Sequence, residues 1–287
     1  MANLKELRSR ITSVSSTMQI TSAMKMVSAA KLSKAQDAIT AMRPYSEKLT
    51  QLLQDLSATL DDESGSKYSE EREVNKVLIV AVSSNKGLAG AFNTNIIKKV
   101  KSRIQEEYQG KEVEVLTLGK KANDILKKTF TIYKNNNGIF DELTFENVSD
   151  VAEDLMKAFV DGKYDKIEVV YNQFKNAATQ VVMTEQLLPI QTAVESDENK
   201  QLDYIFEPSK LEIVQELIPK SLKMQLFKAL RDSFAAEHGA RMTAMHKATD
   251  NAKELRDDLK LSYNKARQAS ITNEILEIVG GAEALNG

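Results

Sequence analysis

Cysteine and tryptophan are both absent from this chain of 287 residues, and only 6% of its residues are aromatic. Without cysteine there is no disulfide framework, no thiolate metal site and no cysteine nucleophile, and the chain is compatible with a reducing compartment. The low aromatic content favours aliphatic packing, as in helix bundles and coiled coils, over a ligand pocket lined with rings. With 42% hydrophobic residues the chain is still able to bury a substantial core.

Long apolar runs are also absent, and no stretch approaches the roughly 18 uninterrupted apolar residues of a membrane-spanning helix. The first residues, MANLKELRSRITSVSS, are basic and rich in serine, as transit peptides are. Glu6, and an apolar period that continues past residue 40, argue against a transit peptide. We therefore expect this segment to belong to the mature protein.

Glycine and proline are scarce at both ends of the chain. No glycine precedes Gly65, and the only proline before it is Pro44. Between Lys220 and Val279 there is no proline and a single glycine, Gly239. A helix over this second segment would be about 90 Å long, at about 1.5 Å per residue. That is far longer than an ordinary globular helix.

Apolar residues recur at steps of three and four along both terminal segments. Because this heptad spacing occurs at opposite ends of one chain, it predicts an intramolecular antiparallel coiled coil. Small residues in the seam (Ala252, Ala266, Ala269 and Ser270) would let the two backbones approach closely. The predicted seam residues are Leu4, Leu7, Ile11, Val14 and Met18, then, after a shift, Ile39, Met42, Ser46, Leu49, Leu53, Leu56 and Leu60, and at the other end Leu226, Leu230, Phe234, Met242, Met245, Thr249, Ala252, Leu255 and Leu259.

The middle of the chain has the pattern of an α/β domain. Short runs rich in Val and Ile alternate with longer amphipathic stretches, which predicts a mostly parallel sheet with covering helices. A polar stretch at 194–209 is expected to connect this domain to the last helix. The predicted strands are 76–84, 113–119, 166–174 and 179–190, and the predicted helices are about 93–108, 120–129 and 149–161.

The predicted fold is therefore α/β with long terminal helices. The N- and C-terminal helices form an antiparallel coiled coil, and a Rossmann-like α/β domain is inserted between them. The expected bounds are 1–60 for the first coiled-coil helix, 70–205 for the central domain and 209–287 for the last helix.

One segment, SSNKGLAGAFNTN, has the composition of a phosphate-binding turn between a strand and a helix. It lacks both G-x-x-x-x-G-K-[ST] and G-x-G-x-x-G, so Gly87 and Gly90 are weak indications of a ligand site. A structural turn with close backbone packing is the preferred interpretation, and ligand binding is the alternative.

Residues that could carry catalysis are few. His238 and His246 are eight positions apart, whereas metal or acid–base pairs on a helix are usually three or four apart. Both are expected to be ordinary surface histidines. The acidic runs 61–63 and 257–258 are expected to be solvated, and no serine occupies a G-x-S-x-G elbow. We predict no catalytic, cofactor or metal site on this chain.

Polar and short residues are unusually dense in ITSAMKMVSAAKL (20–32) and YNKARQASITNEI (263–275). One interpretation is a poorly packed pair of helix ends that frays. The other is a helix pair whose outer face fits a sleeve formed by another protein. Residues 1–60 carry 8 Lys and Arg against 4 Asp and Glu, which is either a solvated surface or a face for an acidic partner.

These same stretches resemble the gamma subunits of F-type ATP synthases. The N-terminal LRSRITSVSSTMQITSAMKMVSAAKL is similar to the first helix of that family, and ITNEILEIVGGAEA fits the signature of its last helix. SSNKGLAGAFN resembles the turn of the central domain, with Asn85 in place of the usual Asp. The resemblance covers nearly the whole chain, and the absence of cysteine favours a bacterial member over a chloroplast one.

The resemblance implies a rotor shaft without a catalytic site, which couples proton flow through the membrane sector to ATP synthesis. The implied partners are the alpha and beta subunits (as a hexamer), the epsilon subunit and the ring of c subunits, at the cytoplasmic face of the bacterial inner membrane, with no nucleic acid, no cofactor and no membrane span of its own. A nucleotide-binding α/β enzyme and an unrelated coiled-coil adaptor are the alternatives. The residues implied to contact the hexamer are Met24, Lys25, Arg241, Gln268 and Thr272.

Overall fold

The computed structural model describes residues 4–57, 66–70, 72–190 and 210–286. The acidic run 61–63, the connector 194–209, Leu60 and the side chains of Leu53 and Leu56 lie outside the described part. The chain divides into two compact units, Met1–Ser28 with Met242–Gly287, and Ala29–Arg241. In chain order the elements are α1 (Leu4–Ser57), α2 (Ser66–Ser69), β1 (Lys76–Val82), α3 (Phe92–Glu106), β2 (Glu112–Leu118), α4 (Lys120–Leu126), β3 (Thr131–Asn136), a 3₁₀ turn (Gly138–Phe140), α5 (Phe145–Val160), β4 (Lys166–Phe174), β5 (Gln180–Leu188) and α6 (Lys210–Asn286).

The least exposed residues of α1 continue at heptad spacing from Leu4 to Leu49. The predicted shift between Met18 and Ile39 does not occur. The seam passes instead through polar and small positions, and their hydroxyls are satisfied within the helix, since Ser28 Oγ donates to the carbonyl of Met24 at 2.8 Å. The seam residues in this stretch are Thr21, Lys25, Ser28, Leu32 and Ala35.

In the first unit, the two ends of the chain lie side by side as an antiparallel pair. Arg8 Nη2 donates to the hydroxyl of Tyr263 at 2.9 Å, and Thr249 Oγ1 donates to Thr21 Oγ1 at 2.8 Å. As the position along α1 advances from 8 to 21, the partner in α6 falls from 263 to 249. The predicted antiparallel coiled coil is therefore confirmed in this unit.

The seam of α6 differs from the predicted one at two positions. Leu255 and Ala269 are exposed. The step of four from Ala252 leads instead to Arg256, which is half-buried, with Nη1 3.6 Å from Met18 Sδ. An arginine can occupy a seam because its apolar stem packs while its guanidinium reaches polar partners.

The second unit contains a five-stranded sheet in the order β3-β2-β1-β4-β5. Strands β1 to β4 are parallel, and β5 pairs with β4 in the antiparallel direction. β1 lies at the centre and reads KVLIVAV, with every residue after Lys76 buried, as a strand covered on both faces requires. The predicted mostly parallel sheet and the predicted fold class are confirmed.

Helices cover both faces of this sheet. On one face, α3 and α4 pack Ile96, Val100 and Leu126 against one set of β1 side chains. On the other face, α5 packs with the part of α6 that includes Leu226 and Leu230. Successive side chains of β1 point alternately to these two faces, because side chains alternate with a period of two along a strand.

The strand β3 was not among the predicted strands. β3 reads TIYKNN, lies at the edge of the sheet and pairs only with β2. An edge strand needs few apolar residues because one flank and much of each face meet water, so its sequence lacks the Val and Ile runs of the inner strands. The neighbouring helix α4 also ends at Leu126, three residues before the predicted end.

A buried carboxylate lies near the start of β4. Glu168 is 2% exposed and accepts hydrogen bonds from Arg103 (Nη2, 2.7 Å) and the hydroxyl of Tyr108 (2.6 Å), with Lys166 Nζ at 3.1 Å. Burial raises the pKa of Glu168, but the hydrogen bonds from Tyr108, Arg103 and Lys166 outweigh it and hold the pKa below its ordinary value. The charged form is thus the one that the fold stabilises.

Candidate partner-contact site

The segment after β1 folds into a hydrogen-bonded turn before α3. Ser84 makes two of the hydrogen bonds that hold this turn. Its Oγ donates to the carbonyl of Lys86 at 2.6 Å, and its backbone N–H donates to Asn93 Oδ1 at 2.9 Å. Leu88 follows with φ +62°, a conformation uncommon for a residue with a side chain, and is 66% exposed. The turn therefore projects a leucine into solvent from a fixed backbone.

Asn85 uses both ends of its amide. Nδ2 donates to the carbonyl of Asn137 at 2.7 Å, and Oδ1 accepts from the backbone N–H of Lys120 at 3.0 Å. An ionised carboxylate could accept from Lys120 but could not donate to Asn137. The departure from the family's usual Asp is therefore matched by the local hydrogen bonds of this chain.

Arg241 connects α6 to the same turn. Its side chain is 7% exposed; Nη1 donates to Glu237 Oε1 at 2.6 Å, and Nη2 donates to the carbonyls of Lys86 at 3.1 Å and Gly87 at 3.4 Å. The sequence singled out both the turn and Arg241, but nothing in it indicated that they meet across 155 positions. Glu237, which completes the arrangement, was missed, although its spacing of four from Arg241 is that of a helical ion pair.

His238 is not a surface residue. It is 6% exposed, and its ring packs on Phe234 in a T-shaped arrangement, with ring centroids 4.5 Å apart. Burial, followed by the positive charges of Arg241 and Lys31, lowers the pKa of His238 to about 4. The prediction of an ordinary surface histidine is thus wrong here, because one side of α6 is covered at this position, whereas His246 is exposed as predicted.

Met24 and Lys25 are half-buried residues of α1 in the first unit, and Lys25 is itself a seam residue. Three apolar side chains close by in sequence, Ile20, Met26 and Val27, are exposed. The structure therefore leaves an apolar surface beside the two residues that the resemblance singled out. Sequence reasoning did not mark these three, although their positions between the seam residues indicate an outward direction.

Gln268 and Thr272 are exposed on α6, one helical turn apart, and Thr272 Oγ1 donates to the carbonyl of Gln268 at 2.9 Å. The end of α6 beyond them is exposed throughout its described side chains, residues 271–283. With Arg8 opposite Tyr263, positions after about 270 have no described residue of α1 opposite them. Five large apolar residues on this stretch are exposed: Ile271, Ile275, Leu276, Ile278 and Val279.

Other kinds of site are not found in the part of the chain that the structure describes. No group of His, Asp and Glu side chains there could hold a metal ion. Within the same residues, no helix combines the length and the apolar character needed to cross a membrane.

Comparison with known proteins agrees with these features. The model of a protein family described as ATP synthase matches residues 3–285. The ATP synthase gamma chain of Christiangramia forsetii is 80% identical over 287 residues, covering 100% of both chains. This chain belongs to the ATP synthase gamma chain family. The gamma chain of Flavobacterium johnsoniae is 69% identical, again over 100% of both chains.

Chains in solved structures share the fold. A chain of the Euglena gracilis mitochondrial ATP synthase is 21% identical with a TM-score of 0.71, covering 98% of this chain and 94% of that one. A chain from the central stalk and c-ring structure of the Tetrahymena thermophila enzyme is 23% identical with a TM-score of 0.63, covering 80% and 99%. The predicted assignment to bacterial gamma subunits of ATP synthases is confirmed.

Proposed function

We propose that this chain is the central rotor shaft that couples proton flow through a membrane sector to ATP synthesis at a hexamer of alpha and beta subunits. The observation that carries the proposal is the end of α6, where apolar side chains cover a helix that has no described partner in its own chain. Contiguous apolar surface of this kind marks a contact with another protein. A sleeve of other subunits explains this stretch better than fraying does, because fraying gives no reason for five large apolar side chains to recur on one exposed stretch of helix.

The remaining partners follow from membership of the family. The chain assembles with the epsilon subunit and with the ring of c subunits, and lies at the cytoplasmic face of the bacterial inner membrane without spanning it. The proposed division of the chain is a first coiled-coil helix at 1–60, a central α/β domain at 70–205 and a last helix at 209–287.

The proposed contacts with the hexamer are Met24, Lys25, Gln268, Thr272 and Arg241. The first four have side chains that are half-buried or exposed, and so are available to another subunit. Arg241 is occupied by Glu237 and the turn, so a contact through its guanidinium requires an exchange of hydrogen-bond partners.

The shaft works by differential contact, since a rotating asymmetric rod favours a different conformation in each beta subunit that it faces. Moving a two-state site from 1:99 to 99:1 takes about 5.5 kcal/mol. A single hydrogen bond contributes only about 0.5–1.5 kcal/mol net, so no single polar contact carries the torque. Packing along the whole helix end has to supply most of it.

A direct test assembles the full chain with the alpha and beta subunits of the same organism. Because the natural chain has no cysteine, a single Lys111→Cys substitution provides one attachment point for a bead. We expect the chain to co-purify with both subunits and the bead to rotate in one direction with three pauses per turn during ATP hydrolysis. Failure to co-purify, or assembly with no rotation, would refute the proposal.

The role of the α6 end is tested by Ile275→Ser combined with Ile278→Ser. This pair removes apolar area from exposed positions and cannot disturb a core, so hydrolysis by the assembled complex should become less tightly linked to rotation. Glu277→Gln is the matched control on the same exposed stretch, because it changes charge without removing apolar area. Equal behaviour of the double variant and the control would contradict the proposed contact.

A further inference from the structure

His238 lies inside the second unit in an environment that does not accommodate a charge. Within the described residues, neither Nδ1 nor Nε2 has a hydrogen-bond partner. The backbone beside it is tightly packed, because a Cβ added to the next residue, Gly239, would lie 3.2 Å from Ala177 Cα and 3.4 Å from the ring of Phe174. An imidazole in this position is neutral while the surrounding structure is closed.

The charged groups around His238 come from three elements. α6 itself contributes Arg241 and Glu237, α1 contributes Lys31, and the turn after β1 contributes Lys86, whose charge acts on Glu237. The β4–β5 hairpin approaches the neighbouring Gly239 with the ring of Phe174 and the backbone of Ala177, neither of which carries a charge. A proton on His238 would therefore add a positive charge beside two others, with Glu237 as the one negative group among those named.

Arg241 links this buried histidine to the turn. Its guanidinium bridges from Glu237 to the carbonyls of Lys86 and Gly87, and we call this set of contacts the latch. Arg241 is one helical turn from Glu237 and three positions from His238, so it shares a helix face with both. The positive charge of Arg241 acts on His238, so a proton on His238 would repel the guanidinium that holds the latch.

We propose that the latch is acid-sensitive: it opens when His238 takes up a proton, and opening releases the turn at 84–91 from α6. The proposal concerns the chain by itself and does not depend on the proposed rotor function. It assigns to His238 a role in controlling the position of the exposed Leu88.

The sign of the effect follows from linkage. In the closed form the pKa of His238 is lowered to about 4, and in an open form it returns to about 6.5. The open form therefore binds the proton more tightly, so acid favours opening, and the effect begins as the pH falls below about 6.5. Between pH 7.5 and pH 5.5 the opening equilibrium should rise about tenfold.

Glu237 acts in the opposite direction. Burial raises the pKa of Glu237, although Arg241, Lys31 and Lys86 lower it in part. A carboxyl whose pKa is higher in the closed form stabilises that form as the pH falls. Without His238, acid should therefore leave the latch closed or close it further, which gives the two residues effects of opposite sign.

The experiment uses two single-cysteine variants of the full chain. Ala89→Cys places a thiol in the turn at a position that is 2% exposed, and Ala91→Cys places one at an exposed position in the same turn. Labelling with a dithiodipyridine, which reacts in acid, gives a rate for each variant. The labelling rate of Ala91→Cys divided by that of Ala89→Cys is high when the latch is closed and falls when it opens. Taking this ratio removes the effect of pH on thiol reactivity that the two variants share.

We expect this ratio to fall from pH 7.5 to pH 5.5 by as much as about tenfold, which is the effect of His238 without the opposing effect of Glu237. Adding His238→Phe should abolish the fall, whereas adding His246→Gln, the other histidine of the chain, should preserve it. A ratio independent of pH, or a fall that persists with His238→Phe, would overturn the proposal. If His238→Phe does not fold, His238→Gln replaces it.

A measurement with the buried histidine intact completes the test. In the His246→Gln variant His238 is the only imidazole, so one ring signal can be followed by nuclear magnetic resonance. We expect that signal to keep its neutral position at pH 6, about half a unit below the ordinary pKa of histidine. Titration at the ordinary value would show that His238 is not shielded, and would also overturn the proposal.

Discussion

Glu168 is a buried carboxylate near the start of β4 with three donors around it. The substitution Glu168→Gln removes its charge and nearly preserves its shape. The substitution keeps an acceptor for Tyr108 but leaves the guanidinium of Arg103 without its buried anion. Removing one partner of a buried ion pair costs about 3–5 kcal/mol. Because Arg103 also pairs with Glu107 on its own helix, we expect the lower end of that range.

A loss of about 3 kcal/mol should lower the Tm by roughly 6–12 °C for a unit of this size. Near-ultraviolet circular dichroism of tyrosine suits the measurement, because the chain has no tryptophan and six of its eight tyrosines lie between residues 68 and 204. Glu112→Gln is the matched control: its ion pair with Lys76 is 3.7 Å long and more than half exposed, so its Tm should change by about 2 °C or less.

The pH dependence provides a second readout. The pKa of Glu168 is lowered in the folded chain, so its stabilisation is complete above the ordinary carboxyl pKa of about 4.3 and is lost as the pH falls through the lower folded value. The difference in stability between the natural chain and Glu168→Gln should therefore shrink below about pH 4. A difference that stays constant in acid, or a variant as stable as the natural chain at pH 7, would refute the reasoning.

Three further predictions concern the turn after β1, the glycine after β2 and the last helix. Asn85→Asp should destabilise the chain by about 1–3 kcal/mol, because a carboxylate cannot donate to the carbonyl of Asn137; an unchanged denaturation midpoint would contradict this. Gly119→Ala should cost more or prevent folding, since φ is +113° and the added Cβ would lie 2.0 Å from the carbonyl oxygen of Ser83; circular dichroism of a normally folded variant would exclude that account. Gln268→Ala should lower the turnover of the reconstituted complex without dissociating the chain, and turnover equal to that of the natural chain would argue against its contact role.

The features that sequence predicted correctly are those set by local periodicity. Heptad spacing marks a helix pair because the seam repeats along the chain, and a run such as KVLIVAV marks an inner strand because both of its faces are covered. Where the local pattern was ambiguous, prediction failed in detail. Leu255 was assigned to the seam because it is apolar, yet the step of four from Ala252 places Arg256 there.

The candidate site was less accessible to prediction because its parts are distant in sequence. Arg241 and the carbonyl of Lys86 are 155 positions apart. Every residue has a main-chain carbonyl, so the identity of residue 86 does not indicate that its carbonyl accepts this hydrogen bond. His238 is likewise buried next to Gly239, which Phe174 and Ala177 of a distant hairpin cover. No periodicity along α6 could have revealed a cover supplied by another part of the chain.

The uncovered end of α6 has a consequence for the life of the chain before assembly. A newly made copy exposes Ile275, Leu276 and Val279 to every other protein around it until a hexamer is at hand. Binding would protect the folded chain by mass action, while unbound copies would be open to aggregation and proteolysis. The cellular amount of this chain should therefore follow the supply of its assembly partners and not its own rate of synthesis.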